Sequence, residues 1–66
     1  MEKKKEMLTY LYAKNLDIQV TLKNEFVAIL RKNFWSFKNN QLIGQATTGE
    51  VVIADLETID SVNKKL

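Results

Sequence analysis

Asp55, Glu57 and Asp60 form the chain's one carboxylate cluster. Spacings of two and three can bring two of them to the same side of a turn, as an acid/base pair or a hard-cation site requires. The same spacing also describes a solvated turn capped by Asp or Thr. The remaining chemistry is sparse. There is no Cys and no His, so there is no disulfide, no thiolate metal site and no imidazole base. Ser36 and Ser61 therefore lack a His partner, and neither lies in a nucleophile-elbow pattern. Gly44 and Gly49 stand alone, so no glycine-rich loop is present to cradle a phosphate. The chain reads as a non-enzyme without cofactor or metal. A small enzymatic or metal-binding domain at the acidic turn is the remote alternative.

A second group of residues points to binding. The stretch RKNFWSFKNN places Phe34, Trp35 and Phe37 among Arg31, Lys32 and Lys38. Neighbours on a strand point to opposite faces, so Phe34 pairs with Ser36 and Trp35 with Phe37. In one phase Trp35 and Phe37 enter the core and Phe34 lies near the rim. In the other they face outward beside the cations. Single-stranded nucleic-acid binders use that second arrangement, with bases stacked on aromatic rings and cations against phosphates. A protein interface uses it too, because Trp and Arg dominate binding energy there. Arg31, Lys32, Phe34, Trp35 and Lys38 are thus the candidate contacts for a nucleic acid or a protein partner.

Charge confines any such site. The net charge is +2, but residues 14–38 hold five basic side chains against Asp17 and Glu25. Residues 39–62 hold no basic side chain and four acidic ones, Glu50, Asp55, Glu57 and Asp60. Such an asymmetry gives a domain one positive and one negative face, or lets subunits meet plus to minus. A nucleic-acid strand wandering onto the acidic half would be repelled.

These side chains need a scaffold, and 66 residues allow one small domain. A chain of this size buries only about 60% of its unfolded surface. Without disulfide or metal, homo-oligomerisation is the supplement left to stabilise it. No apolar run approaches the ~18 residues of a membrane span. Thr9, Tyr10, Tyr12 and Lys14 interrupt what would be the apolar core of a signal peptide. A cytoplasmic protein without membrane contact is the expectation.

Residues 3–14 read as a helix, with Met7, Leu8, Leu11 and Tyr12 on one apolar face. From Leu16 the period changes to two: Leu16, Ile18, Val20 and Leu22 alternate with polar residues. Further strands are expected over 26–31, 34–38, 41–46, 50–55 and 59–62. The separating turns are Asn24-Glu25, Lys32-Asn33, Asn39-Asn40 and the segment around Gly49, with a single 3₁₀ turn at residues 56–58. Asn tolerates the positive φ of tight turns. Gly44 within a strand marks a bulge or a close backbone approach. The fold class is mainly β with a short N-terminal helix. Five to six antiparallel strands over about 16–62 would curl into a small SH3-like or Sm-like barrel. Met7, Leu8, Leu11 and Tyr12 would plug it beside Ile18, Val20 and Ile53, and a basic end, 63–66, would fray.

This order of elements resembles the Sm-like family, most closely its bacterial RNA-chaperone branch. The likeness lies in the helix EMLTYLYAKN, the strand and turn IQVTLKNE, the long bent strand AILRKNFWSFKN and the closing EVVIADLETIDSV. It spans roughly residues 6–62. Ala28 stands nearest the place where that family usually carries a glycine in its second strand. Val52-Ile53-Ala54 stands where the bacterial branch carries a Tyr-Lys-His-type triplet. The resemblance implies a five-stranded barrel, a closed ring of subunits and single-stranded RNA as a ligand.

Overall fold

The helix α1 spans Lys3–Lys14 and stops because of Asn15. In this computed structural model, which describes residues 3–65, Asn15 takes a left-handed φ of 55°. Its N–H donates to Tyr12 O at 3.0 Å, and Leu16 N–H reaches back to Leu11 O at 3.4 Å. This bond pair is the Schellman termination, with Asn in the place glycine usually takes. Glu6 in the first turn and Lys14 in the last complement the helix dipole. Leu8 and Leu11 are fully buried, whereas Met7 and Tyr12, also expected in the core, are nearly half exposed. The helix lies on β-structure along one side only, so a stripe narrower than four residues is covered. Lys4 Nζ fastens it by donating to Ile59 O at 2.6 Å.

Five strands follow in one antiparallel sheet: β1 (Ile18–Leu22), β2 (Val27–Lys38), β3 (Gln41–Ala46), β4 (Val51–Asp55) and β5 (Ile59–Lys64). A 3₁₀ turn, Leu56–Thr58, joins the last two. The order across the sheet is β4-β3-β2-β1-β5. β4 and β5 are therefore its edges, and the sheet is open between them.

β2 departs most from the sequence reading. Residues 26–31 and 34–38 were expected as two strands with a turn at Lys32-Asn33. They form one strand of 12 residues, bent at Asn33, whose φ is 73°. Its first half pairs with β1, from Ile18↔Leu30 to Thr21↔Val27. Its second half pairs with β3, from Trp35↔Gly44 to Lys38↔Gln41, with a register shift between Leu30 and Trp35. A bulge leaves backbone donors outside the ladder, and buried or not they need acceptors. Here side chains supply them. Lys32 N–H donates to Asp17 Oδ1 at 2.8 Å, and Asn33 N–H to Asn15 Oδ1 at 3.1 Å. Asn15 Nδ2 returns a bond to Asn33 Oδ1 at 2.9 Å. Two left-handed asparagines thus clamp the end of α1 to the bend of β2.

The turns follow their residue types. Asn39 and Asn40 both have positive φ, 54° and 61°, the pairing a two-residue hairpin loop needs. Gly49 (φ 98°) closes the β3–β4 turn. Glu25 is the exception, a glutamate held at φ 73° between β1 and β2. Gly44 sits opposite Trp35; a Cβ there would lie 2.7 Å from Trp35 Cβ and 3.0 Å from Phe34 O. The close approach expected at this glycine is real.

Inside the curve of the sheet lie Ile18, Val20, Leu30, Leu42, Ile59 and Trp35, under Leu8 and Leu11. Ile53, expected among them, is 62% exposed. The pleat of β4 sends Val52 and Ala54 inward, so Ile53 must point out. The C-terminal end is ordered further than expected. Asn63 and Lys64 belong to β5, and Lys65 N–H donates to Asp17 O at 2.8 Å; Leu66 lies outside the described residues. Among the described residues no helix is long and apolar enough to cross a membrane.

Candidate interaction surface

The two phases left open for Phe34–Phe37 resolve in favour of the core. Trp35 is 6% exposed and Phe37 packs against the core, while Phe34 is 56% exposed. Trp35 leans on Tyr12, ring centroids 5.4 Å apart at 52°. Its indole N–H donates to Leu16 O at 2.9 Å, which satisfies the one polar atom that burial of a tryptophan strands. Buried this way, its ring is not a platform for a base.

The five candidate contacts therefore do not form one cluster. Arg31 and Phe34 come together, lining a crevice of about 270 Å³ with Gln45, Thr47 and Gly49. Lys38 is exposed at the far end of the same β2 row. Lys32 is exposed at the bulge, its backbone tied to Asp17. Trp35 lies on the opposite face of the sheet.

The outer face of β2, β3 and β4 carries residues that the aromatic stretch did not reveal. Ile43 pairs with Ser36 on one side and with Ile53 on the other. Val51 follows two residues before Ile53 on the same face, and Phe34, Ile43 and Val51 line one shallow groove. Ile43 is 43%, Val51 70% and Ile53 62% exposed. Scattered exposed apolar side chains need no explanation, but a contiguous patch marks a contact surface. The signal in the sequence was VVIA: both parities of β4 are apolar, although only one can enter the core.

The patch borders an open backbone edge. Ala46 N–H donates to Glu50 O and Leu56 N–H to Asn40 O, both at 2.8 Å. Antiparallel bonding alternates between those two points, so Val52 and Ala54 bond to β3. Val51 and Ile53 then turn their N–H and C=O groups away from the sheet.

The acidic turn does not converge. No group of three metal-ligating side chains is found among the described residues. Asp55 Oδ1 accepts from Gln41 Nε2 at 3.4 Å, and Thr58 Oγ1 donates to Asp55 O at 2.7 Å. Asp55 stands at the N-cap of the 3₁₀ turn but makes no side-chain cap bond there, so these are the contacts of a solvated turn. Comparison with protein-family models, with curated proteins and with solved structures gives no match for this chain.

Proposed function

We propose that this chain is a non-enzymatic interaction module that works through protein contacts on the outer face of β2–β3–β4, beginning with further copies of itself. One observation carries the reading: Phe34, Ile43, Val51 and Ile53 form a continuous exposed apolar patch beside an unpaired edge strand. An edge with free backbone groups and apolar side chains is a template for association unless something covers it. A 66-residue chain without disulfide or metal also gains most from a partner that covers it.

The strand order and the bend in β2 support an SH3-like or Sm-like small barrel as the architecture behind this face. The bend lies at Asn33, with φ 73°, while Ala28, nearest the place of the Sm-like glycine, sits in the regular ladder opposite Val20. Single-stranded RNA is the second reading, and the crevice that pairs exposed Phe34 with Arg31 favours it. Burial of Trp35 and the acidic ends of β4 weigh against it.

Light scattering of nuclease-treated protein tests the first reading. The native chain should run as more than one protomer, and Ile53→Lys should run as a folded monomer. A native chain that is monomeric at high concentration refutes it. The RNA reading predicts copurified nucleic acid, a raised 260/280 nm absorbance ratio, lost in Phe34→Ala and Arg31→Ala.

A further inference from the structure

We infer that the outer face of β2–β3–β4 pairs with the same face of a second copy, about a two-fold axis that runs along β3 through Ile43. This rests on the self-association reading above and adds the symmetry and the pairing of charges.

Three parallel rows make up the face. The β2 row is Phe34, Ser36, Lys38; the β3 row is Gln45, Ile43, Gln41; the β4 row is Val51, Ile53, Asp55. Register aligns them into levels: Ser36↔Ile43↔Ile53 and Lys38↔Gln41↔Asp55. Its apolar residues are Phe34, Ile43, Val51 and Ile53, with Ser36, Gln41 and Gln45 among them, and its charges are Lys38 on the β2 row and Asp55 on the β4 row. Lys38 and Arg31 belong to the β2 margin, Asp55 to the β4 margin.

A two-fold contact must be complementary to itself, and an axis in the plane of the face has two main directions. Set across the strands, it lays the β2 row on the β2 row of the second copy with the ends reversed. Lys38 then meets the Arg31 end, cation to cation, and both aspartates meet apolar side chains. Set along the strands, it lays the β2 row on the β4 row of the second copy with the levels kept. Lys38 then faces Asp55 of the second copy, twice by symmetry. Phe34 faces Val51, Ser36 faces Ile53, and Ile43 faces itself on the axis. Only this direction joins unlike charges, and it sets Phe34 on Val51 and Ile43 on itself. It also leaves the strands of the two sheets aligned, a standard way for sheets to stack.

The chain has no cysteine, so Ile43→Cys provides a single reporter on the axis. Stacked sheets lie about 10 Å apart, beyond direct disulfide reach. A short bis-maleimide of that span should link Ile43→Cys into a covalent dimer and leave Asn63→Cys, on β5, unlinked. Lys38→Glu and Asp55→Lys should each weaken the dimer about tenfold, as two rim ion pairs turned repulsive would. The double variant should recover most of the loss. A native dimer that gives no Ile43→Cys cross-link, a double variant no tighter than the single ones, or a native ring of six or seven copies overturns this pairing while self-association stands. A native monomer overturns both.

Discussion

Gly44→Ala tests the close approach of β3 to β2 at the Trp35↔Gly44 pair. The added methyl would meet Trp35 Cβ at 2.7 Å, Phe34 O at 3.0 Å and Leu30 Cδ1 at 3.1 Å. Three obstacles are not equally soft. Leu30 Cδ1 ends a flexible side chain and can turn aside by a few tenths of an ångström. Phe34 O is backbone in the middle of β2. Trp35 Cβ cannot retreat, because its indole is held between Tyr12 and Leu16 O. Relief therefore requires β2 and β3 to separate at the Trp35↔Gly44 pair. Overpacking of this kind costs about 1–3 kcal/mol. The lower chain entropy of Ala in the unfolded state returns roughly 0.5–1 kcal/mol. A 2.7 Å approach to a fixed atom puts the cost in the upper part of that range, about 2–3 kcal/mol, so the clash wins with a net loss of about 1–2 kcal/mol. A chain this small has only about 3–10 kcal/mol of stability, and each kcal/mol shifts its midpoint by about 4–8 °C. A fall of about 4–16 °C in Tm should follow, read by circular dichroism and by urea unfolding with Trp35, the sole tryptophan, as fluorophore. An unchanged or raised Tm would show that the two strands part freely, and would refute the view that Trp35 is locked.

Asn33→Ala should cost about 2–3 kcal/mol, because it combines a left-handed backbone with loss of the Asn15 side-chain bond. Asn33→Gly should cost only about 1 kcal/mol, since the backbone strain is gone; equal melting points for the two would sink the clamp. Glu25→Gly should raise stability by roughly 0.5–1 kcal/mol by relieving the φ of 73°, and a lowered Tm would contradict it. Trp35→Phe removes the indole N–H and strands Leu16 O, a loss of about 1–3 kcal/mol. Urea midpoints for the native chain and this variant measure it, and coincident curves would deny the bond any weight.

Much of the scaffold was legible because it obeys short periods. Leu16 to Leu22 alternates cleanly, and β1 buries Ile18 and Val20 as that alternation requires. The tight turns were legible from Asn39-Asn40 and Gly49, whose types suit the φ values they take. β2 was misread at Lys32-Asn33 for a physical reason. A polar pair flanked by apolar runs marks a turn and a bulge equally well. What decides between them is whether remote partners can accept the freed N–H groups. Those partners are Asn15 and Asp17, 18 and 15 residues away, and nothing local announces them. The same distance effect ordered the C-terminal end, where Asp17 O takes the N–H of Lys65.

The surface was less legible than the core because aromatic residues are an ambiguous sign. Trp35 drew attention as a stacking platform, yet the largest apolar side chain is also the one whose burial stabilises a small core most. The apolar side chains exposed on the outer face are the plainer Ile43, Val51 and Ile53. Alternation identifies a polar outer face easily, and its failure is the informative case: where β4 reads VVIA, no choice of phase hides all the apolar side chains. One of the two faces must then keep its apolar side chains outside this chain's own core. Val52 and Ala54 take the inner face, small enough to leave room for Leu42 and Leu56. The larger branched pair, Val51 and Ile53, is left on the outside. That outer pair, with Ile43 beside it in the next strand, is what the proposed pairing of two copies would cover.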